Sequence, residues 1–586
     1  MGGGLLQLAA IGLLDSYITG NPQITFFKSV YRKHTNFAID LRKIHFDGSS
    51  SFGGSLHAKI IKGNNILLHK LYLQPTLPAI KKDVTADRHV AFRWLNWVGH
   101  KLIKRATFKM NGAEIDSHTG EWIHLWNELS QKPGQKEAYA EMVGNVPGLT
   151  QISTVKGNGV EVTFIDEYKL YIPLLFWFCR NPGLSLPLLS LKNTDIHLDI
   201  DIEEFDKLIW STEESPTNIR EKNGAHVFPL IKQLTNIFLY AEYIQLDTAE
   251  SRRFKDSPHE YLIEIVQEKG SQNFTGTLTN NKLNGSFDLT FHYPVKELIW
   301  VIQPDHFIEK AWTQSRGGRQ HFNFTDSYDY SGFSGTPSSK FGHGMPGGRS
   351  NNLLYSLPGV KLPFTTDVLE PDFSKDDTIT TDNGGFNTEL ISLNTTTEAS
   401  TVKLTGYNYI SKYHKTGTTA STYRTKTIEN YLGNTSALEI EDTDKDSLGI
   451  WSNSNLNLKL IHSGVNPIKT AKIQLNGANR VEDMDGFYYN TVQPYTYHTN
   501  TPAVGINSYS FAMDPEDVNP TGTCNFSSID QANIDFTFSD DGLSKSRSMT
   551  MRVYALSYNL LRIKDGIHTL NQTEQHSHSH NVNDPH

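Results

Sequence analysis

Three histidines alternate with other residues near the C-terminus, His576, His578 and His580 in "HSHSHNVNDPH", and such a run can chelate a transition metal. The plainer reading is a flexible polar tail with incidental metal affinity. Ser185, in "GLSLP", lacks the flanking glycines of a nucleophile elbow, and no His–Asp partner can be assigned to it. "RGGRQ" and "MPGGRS" are glycine-rich but lack the Lys-Ser/Thr that completes a phosphate loop. Glu203 and Glu204 adjoin a strand end, where a solvated edge explains them. The 23 histidines show no ligand spacing through the body of the chain. No His-x-His with a nearby Glu falls on a strand, as a metal-dependent β-barrel enzyme would require. No catalytic, cofactor-binding or metal-ligating set is assigned, no cofactor is expected, and the chain reads as a non-enzyme.

What positions such side chains is therefore the informative question. At 586 residues the chain is too long for one core. Aromatics reach 11%, and Asn, Thr and Gly are frequent, which favours strands and turns over helices. A net charge of −9 argues against gripping phosphates, so nucleic acid is not expected as a direct partner. "KSVYRKH" and "LIKR" read as solvated faces. Two cysteines, Cys179 and Cys524, exclude a disulfide framework and fit unpaired thiols in a reducing compartment. The apolar run "LLQLAAIGLL", Leu5 to Leu14, is too short to span a bilayer and precedes no cleavage site. Gly2 invites myristoylation, but Leu6 stands where Ser or Thr is wanted.

The chain repeats itself. "IKRATFKMNGA" (103–113) and "IKTAKIQLNGA" (468–478) agree in register at Ile, Lys, Ala, Asn, Gly and Ala. Each alternates apolar and polar residues and ends in Asn-Gly, which tolerates positive φ and closes tight turns. "TDIHLDIDI" pairs with "ANIDFTF", and "IFLYAEYIQLD" with "RVYALSYNLLRIKD", where Tyr243 is set against Tyr558. The three pairs occur in the same order in each half, so the chain is an internal duplication.

Further strands are expected in "NFAIDLRKIHF", "SLHAKIIKG", "NILLHKLYLQ" and "YKLYIPLLFWF", then in "EYLIEIVQ", "SFDLTFHY", "VKELIWVIQ" and "INSYSFAM". Seven or eight strands per half indicate an antiparallel sandwich in each. "EWIHLWNELS" places Trp122, Leu125, Trp126 and Leu129 at helical spacing, a short amphipathic helix expected to cap the first sandwich. "ADRHVAFRWLNWVGHKLI" is a weaker helical candidate. Trp94, Trp97, Trp122 and Trp126 suit packing or interface equally. The halves differ most over residues 304–467, a polar, Gly- and Thr-rich surface excursion in which "STVKLTGYNYISKYH" and "ALEIED" add strand candidates.

The opening "GGGLLQLAAIGLLDSYITGNPQITFFKSVYRKHTNF" resembles the N-terminal signature of the major capsid proteins of nucleocytoplasmic large DNA viruses. The likeness continues through "GHKLIKRATFKMNGAEIDSHTGEWIHLWNELS", "LYIPLLFWFCRNPGLSLPLLSL", "YAEYIQLDTAESRRF", "HEYLIEIVQ" and "FHYPVKELIWVIQ". It returns in "VQPYTYHTNTPAVGINSYSFAMDPEDVNPTGTCNFSSID" and "YALSYNLLRIKDGI", and so covers most of the chain outside 304–467. One departure is Ser528, which stands where the family pattern has a basic residue.

The resemblance implies an all-β fold: two tandem eight-stranded antiparallel jelly rolls, with a few short helices and long loop insertions. It divides the chain into an arm (1–36), jelly roll 1 (37–248), jelly roll 2 (249–565, with the surface insertion 304–467) and a His-rich tail (566–586). It further implies homotrimeric, pseudo-hexagonal capsomers that tile an icosahedral shell assembled in the host cytoplasm. The partners implied are neighbouring capsomers, minor capsid proteins and the penton, with the arm near inner-shell partners or an internal membrane. Sequons at Asn323, Asn394 and Asn434 offer sites for surface glycans. The alternative is a carbohydrate-binding attachment or fibre sandwich, which needs a clustered aromatic and acidic site on one loop face.

Overall fold

The computed structural model describes residues 3–82, 90–150, 153–155, 162–211, 233–275, 284–313, 318–325, 466–538 and 548–570. The strand candidates in "STVKLTGYNYISKYH" and "ALEIED", the sequons at Asn394 and Asn434, and the tail histidines lie outside these residues.

The first half contributes β1 (Phe37–His45), β2 (Ser55–Lys59), β3 (Ile66–Leu77), β4 (Ile103–Met110), β5 (Ala113–His118), β6 (Tyr168–Lys169), β7 (Ile196–Ile202) and β8 (Thr235–Leu246). They lie in two antiparallel sheets, in the orders β1-β8-β3-β6 and β2-β7-β4-β5. The second half contributes β9 (His259–Thr275), β10 (Asn284–Asp288), β11 (Pro294–Pro304), β12 (Ile468–Leu475), β13 (Ala478–Asp485), β14 (Ile506–Ser510), β15 (Ala532–Phe538) and β16 (Ser548–Lys564). Their orders are β9-β16-β11-β14 and β10-β15-β12-β13. Adding eight to every label of the first half reproduces the second. Each half is an eight-stranded jelly roll, with shorter strands extending the sheet edges.

Alternation places the cores. In β7, Ile196, Leu198, Ile200 and Ile202 are buried while His197, Asp199 and Asp201 face outward; β15 buries Ile534, Phe536 and Phe538 in the same rhythm. The repeated Asn-Gly turns do equivalent work. Asn111 and Asn476 have φ of 50° and 49°, followed by Gly112 and Gly477 at 81° and 78°. The Asn111 amide donates to the Asp195 carbonyl while its Oδ1 accepts from the Asp195 amide, both at 2.7 Å. Asn476 repeats this on Gln531, at 2.7 and 3.0 Å. Each Asn thus closes a turn and ties it to the start of the adjacent strand, which explains why both halves keep it.

A second shared device follows β5 and β13. A Cβ on Gly120 would lie 1.9 Å from the His100 carbonyl oxygen, and one on Gly486 would lie 2.1 Å from that of Ile468. Only glycine lets helical residues begin so close to the neighbouring backbone.

Several local expectations need correction. Tyr243 and Tyr558 occupy equivalent strands, β8 and β16, but opposite faces. Leu239, Ala241 and Tyr243 point into the first core, whereas Val553 and Ala555 point into the second, putting Tyr558 on the outward side with Tyr554 and Leu556. The sequence match was one residue out of register with the fold. "YKLYIPLLFWF" is not one strand. Pro173 cannot donate to a ladder, so the run breaks into Tyr168–Lys169, Ile172–Pro173 and the helical turn Trp177–Arg180, packed as buried irregular chain. "SFDLTFHY" is strand only up to Asp288. Within "ADRHVAFRWLNWVGHKLI", Val90–Trp94 is a strand and only Val98–Leu102 is helical, because Trp97 at φ 57° turns the chain between them.

Ahead of β1, α1 (Gly3–Ala9) and α2 (Leu13–Thr19) are two seven-residue helices. Leu, Gln and Ala favour helix in α1, and α2 lies between breaks at Gly12 and Gly20. Every residue from 3 to 36 is exposed, including Leu13, Leu14, Phe26 and Phe27. Among the described residues, no helix is long and apolar enough to cross a membrane.

Candidate assembly interface

The amphipathic helix predicted as a cap is α3 (Gly120–Ser130), begun by the Thr119 side chain accepting from the Trp122 amide at 3.2 Å. It does more than cap the first sandwich. Trp122, Leu125, Trp126 and Leu129 pack on Ile299, Val301, Ile506, Tyr554 and Leu556, the outward face of the β9-β16-β11-β14 sheet. The helix therefore joins the two jelly rolls through an apolar seam. Of the four tryptophans, Trp122 and Trp126 are interface, Trp94 is core, and Trp97 stacks on His100 at 5.3 Å.

Charge pairs fix the register of that seam. Glu121 Oε1 accepts from Arg552 Nε at 2.5 Å and from the Tyr554 hydroxyl at 2.9 Å, and a second Arg552 nitrogen donates to Gln303 Oε1 at 2.9 Å. Arg180 pairs with Glu264 at 2.7 Å, and Lys296 pairs with the same carboxylate. Arg105 reaches Glu268 at 3.5 Å, and Asp116 accepts from the Val266 amide at 3.1 Å. At the helix end, Asn500 holds the Leu129 and Glu128 carbonyls at 2.9 and 2.6 Å.

Beside this contact His498 is buried between two carboxylates, with Nε2 2.5 Å from Glu297 and Nδ1 3.1 Å from Glu516. Burial opposes its charge, but Glu297 and Glu516 together outweigh burial and hold its pKa up at about 9. His100 and His124 are buried without a carboxylate partner, so desolvation lowers both, His124 to about 3. Spacing along the sequence could not reveal the His498 cluster, since its members lie 201 and 18 residues apart.

The root of the insertion is also tied to the first jelly roll. Asp206 pairs with Lys310 at 2.7 Å and Arg319 at 3.1 Å, while Phe322 stacks on His124 at 4.4 Å. The Asn323 sequon is engaged internally: its Nδ2 donates to Gln320 at 2.7 Å and its Oδ1 accepts from the Thr325 hydroxyl at 2.7 Å.

The side chains of chemically suggestive type have structural roles. Ser185 is buried, and its hydroxyl donates to the Pro182 carbonyl at 2.6 Å. Glu203 is not the solvated residue expected; it is buried and paired with Lys101 at 3.0 Å and Lys207 at 3.2 Å. Glu204 alone faces solvent. Cys179 and Cys524 are free thiols, and burial pushes Cys179 up to about 12. Among the described residues no group of three or more His, Cys, Asp or Glu is placed to hold a metal ion.

Paired jelly rolls with interlocking flanks suit a building block, and comparison with known proteins identifies which kind. The model for the large eukaryotic DNA virus major capsid protein matches residues 250–569, and that for the major capsid protein N-terminus matches 25–247. The chain belongs to the major capsid proteins of large eukaryotic DNA viruses. It is 33% identical to the major capsid protein of Phaeocystis pouchetii virus, over 97% of this chain and 99% of that one. It is 32% identical to that of Chrysochromulina ericina virus, with the same coverage. The Faustovirus major capsid protein shares the fold at TM-score 0.57 and 13% identity, over 94% of each chain. This is a structural protein of the virion and not an enzyme. The carbohydrate-binding alternative gains no support.

Proposed function

We propose that three copies of this major capsid protein form a pseudo-hexagonal capsomer, which tiles an icosahedral shell beside minor capsid proteins and a penton and is assembled in the host cytoplasm. The observation that carries this reading is the duplication itself: two jelly rolls per chain give a trimer six similar flanks, so a three-fold object can occupy a six-neighbour position. Weak contacts repeated over many copies then hold the lattice. The solution mass of the purified protein tests it: a stable trimer is expected, and a monomer would overturn it.

The functional parts proposed are an arm at 1–36, jelly rolls at 37–248 and 249–565, and a His-rich tail at 566–586. The arm, exposed and apolar, would lie beneath the capsomer against inner-shell partners or near an internal membrane. Deleting residues 2–24 should leave soluble trimers but impair shell assembly; particle counts by electron microscopy check this, and normal shells would refute it.

The insertion at 304–467 would form an outward crown, since lattice neighbours crowd a capsomer's sides and the inner shell its base. Protease added to intact virions should cut inside "SGFSGTPSSKFGHGMPGGRS" without loss of the shell. Full protection, or cleavage that dissociates trimers, would make it an inter-subunit clasp instead.

A further inference from the structure

The contact joining the two jelly rolls has two uncovered halves elsewhere on the same chain. One is the sheet face. Within the chain, α3 covers the outward side of the second sheet, where Val266 pairs with Leu556, the residue after the inward-facing Ala555. In the first jelly roll the equivalent strand pair is β1 with β8, and Leu41 pairs with Glu242, the residue after the inward-facing Ala241. Leu41 therefore holds the place of Val266. Yet Leu41, Ile39 and Phe37 are 57%, 59% and 51% exposed, a row of apolar side chains on an edge strand that none of the described residues covers.

The other half is the helix. Residues 486–497 form helical turns after β13, as α3 does after β5, both starting at the crowded glycines Gly120 and Gly486. Counting on from those glycines sets Trp122, Trp126 and Leu129 against Tyr488, Val492 and Tyr495. The inward residues agree as well: Ile123 and Tyr489 are both buried in their own cores. Of the interface positions, Tyr488 packs against its own core, whereas Val492 is 39% exposed and Tyr495 81%, with Phe487 beside them at 63%.

We infer that the 486–497 helical turn of one copy docks on the β1 face of the next, repeating between chains the contact that α3 makes within one. The occupant is a second copy of this chain, because the covered version of the same face shows what fits it: an aromatic helix following a β-turn-β pair. Such a contact is head-to-tail, and alternation of intrachain and interchain seams closes after three chains when each seam turns by one sixth of a circle. The inference rests on the trimeric reading and names the surfaces that make it.

The test uses the full-length protein with cysteines at Leu41→Cys and Val492→Cys together, treated with a short bismaleimide. A ladder ending at a covalent trimer is expected, absent from either single variant and from the parent with its native Cys179 and Cys524. In parallel, Ile39→Glu should convert trimers to monomers while leaving the far-ultraviolet circular dichroism unchanged. A trimeric parent whose double-cysteine variant gives no interchain cross-link and whose trimers survive Ile39→Glu would overturn the docking surface, with the arm as the cover of β1, while leaving the trimer intact. A parent that is monomeric by mass would overturn the trimeric reading itself.

Discussion

Replacing Arg552 by alanine is expected to destabilise the chain by about 3–5 kcal/mol, the usual cost of stripping one partner from a buried ion pair. Arg552 lies in the middle of β16 and reaches across the seam to Glu121 on α3, so the change strands a carboxylate under the Trp122 and Tyr554 rings. Gln303 loses a donor too. Gln303 is buried and Glu121 is only partly open to solvent, so neither recovers full hydration while the apolar contact stays closed. Removing both charges should behave differently: Glu121→Leu with Arg552→Leu leaves no orphaned group and should recover most of the loss. Urea unfolding followed by tryptophan fluorescence reports this, because Trp122 and Trp126 sit in the seam. The single variant should show the first jelly roll separating from the second at lower denaturant. An Arg552→Ala midpoint equal to the parent's would mean that apolar packing alone joins the halves.

The strand plan was legible because jelly-roll strands with one buried face must alternate, and alternation survives in "IHLDIDI" and "ANIDFTF" without any knowledge of partners. Turn chemistry was equally local: Asn-Gly demands positive φ wherever it lies, so the corners at 111–112 and 476–477 could be read directly. Failures came where tertiary packing overrode local pattern. Pro173 inside an apolar run left burial intact but removed the ladder, and periodicity alone cannot distinguish a buried strand from buried irregular chain. Tyr243 and Tyr558 matched in letters yet face opposite ways, because strand register is set by the opposing sheet and a slip of one residue costs nothing in sequence similarity.

The interface was half legible. The Trp122-Leu125-Trp126-Leu129 stripe announced a buried helix face but not its partner, since the second jelly roll lies far along the chain. Ion pairs such as Glu121–Arg552, separated by 431 residues, leave no local trace at all. The duplication supplies what local reading lacks. Once one copy of a contact is seen covered, the uncovered copy on β1 gains a meaning that exposure alone could not give it.

His498 should make the protein less stable as pH rises through mild alkali. Its folded pKa, about 9, lies above the unfolded value of 6.5, so the native state binds the extra proton. The stabilisation is fully present below about pH 6.5 and is lost as pH climbs through about 9, amounting to about 3 kcal/mol. Glu297 and Glu516 face the imidazole on its two nitrogens, Trp126 lies edge-on to it at 6.5 Å, and the imidazole itself is fully buried. His100 and His124 act in the opposite sense. Their folded pKa values are depressed, so their contribution exists above the unfolded value and falls away on acidification, for His124 down towards about 3. The two effects together place maximal stability near the unfolded histidine pKa, with a falling limb on either side. His498→Gln should flatten the alkaline limb and leave the acid limb in place, even though it lowers stability throughout by leaving Glu297 short of a cation. Urea midpoints measured at a series of pH values from about 5 to about 9.5 decide the matter. An alkaline limb of equal slope in the parent and in His498→Gln would show that some other group carries it.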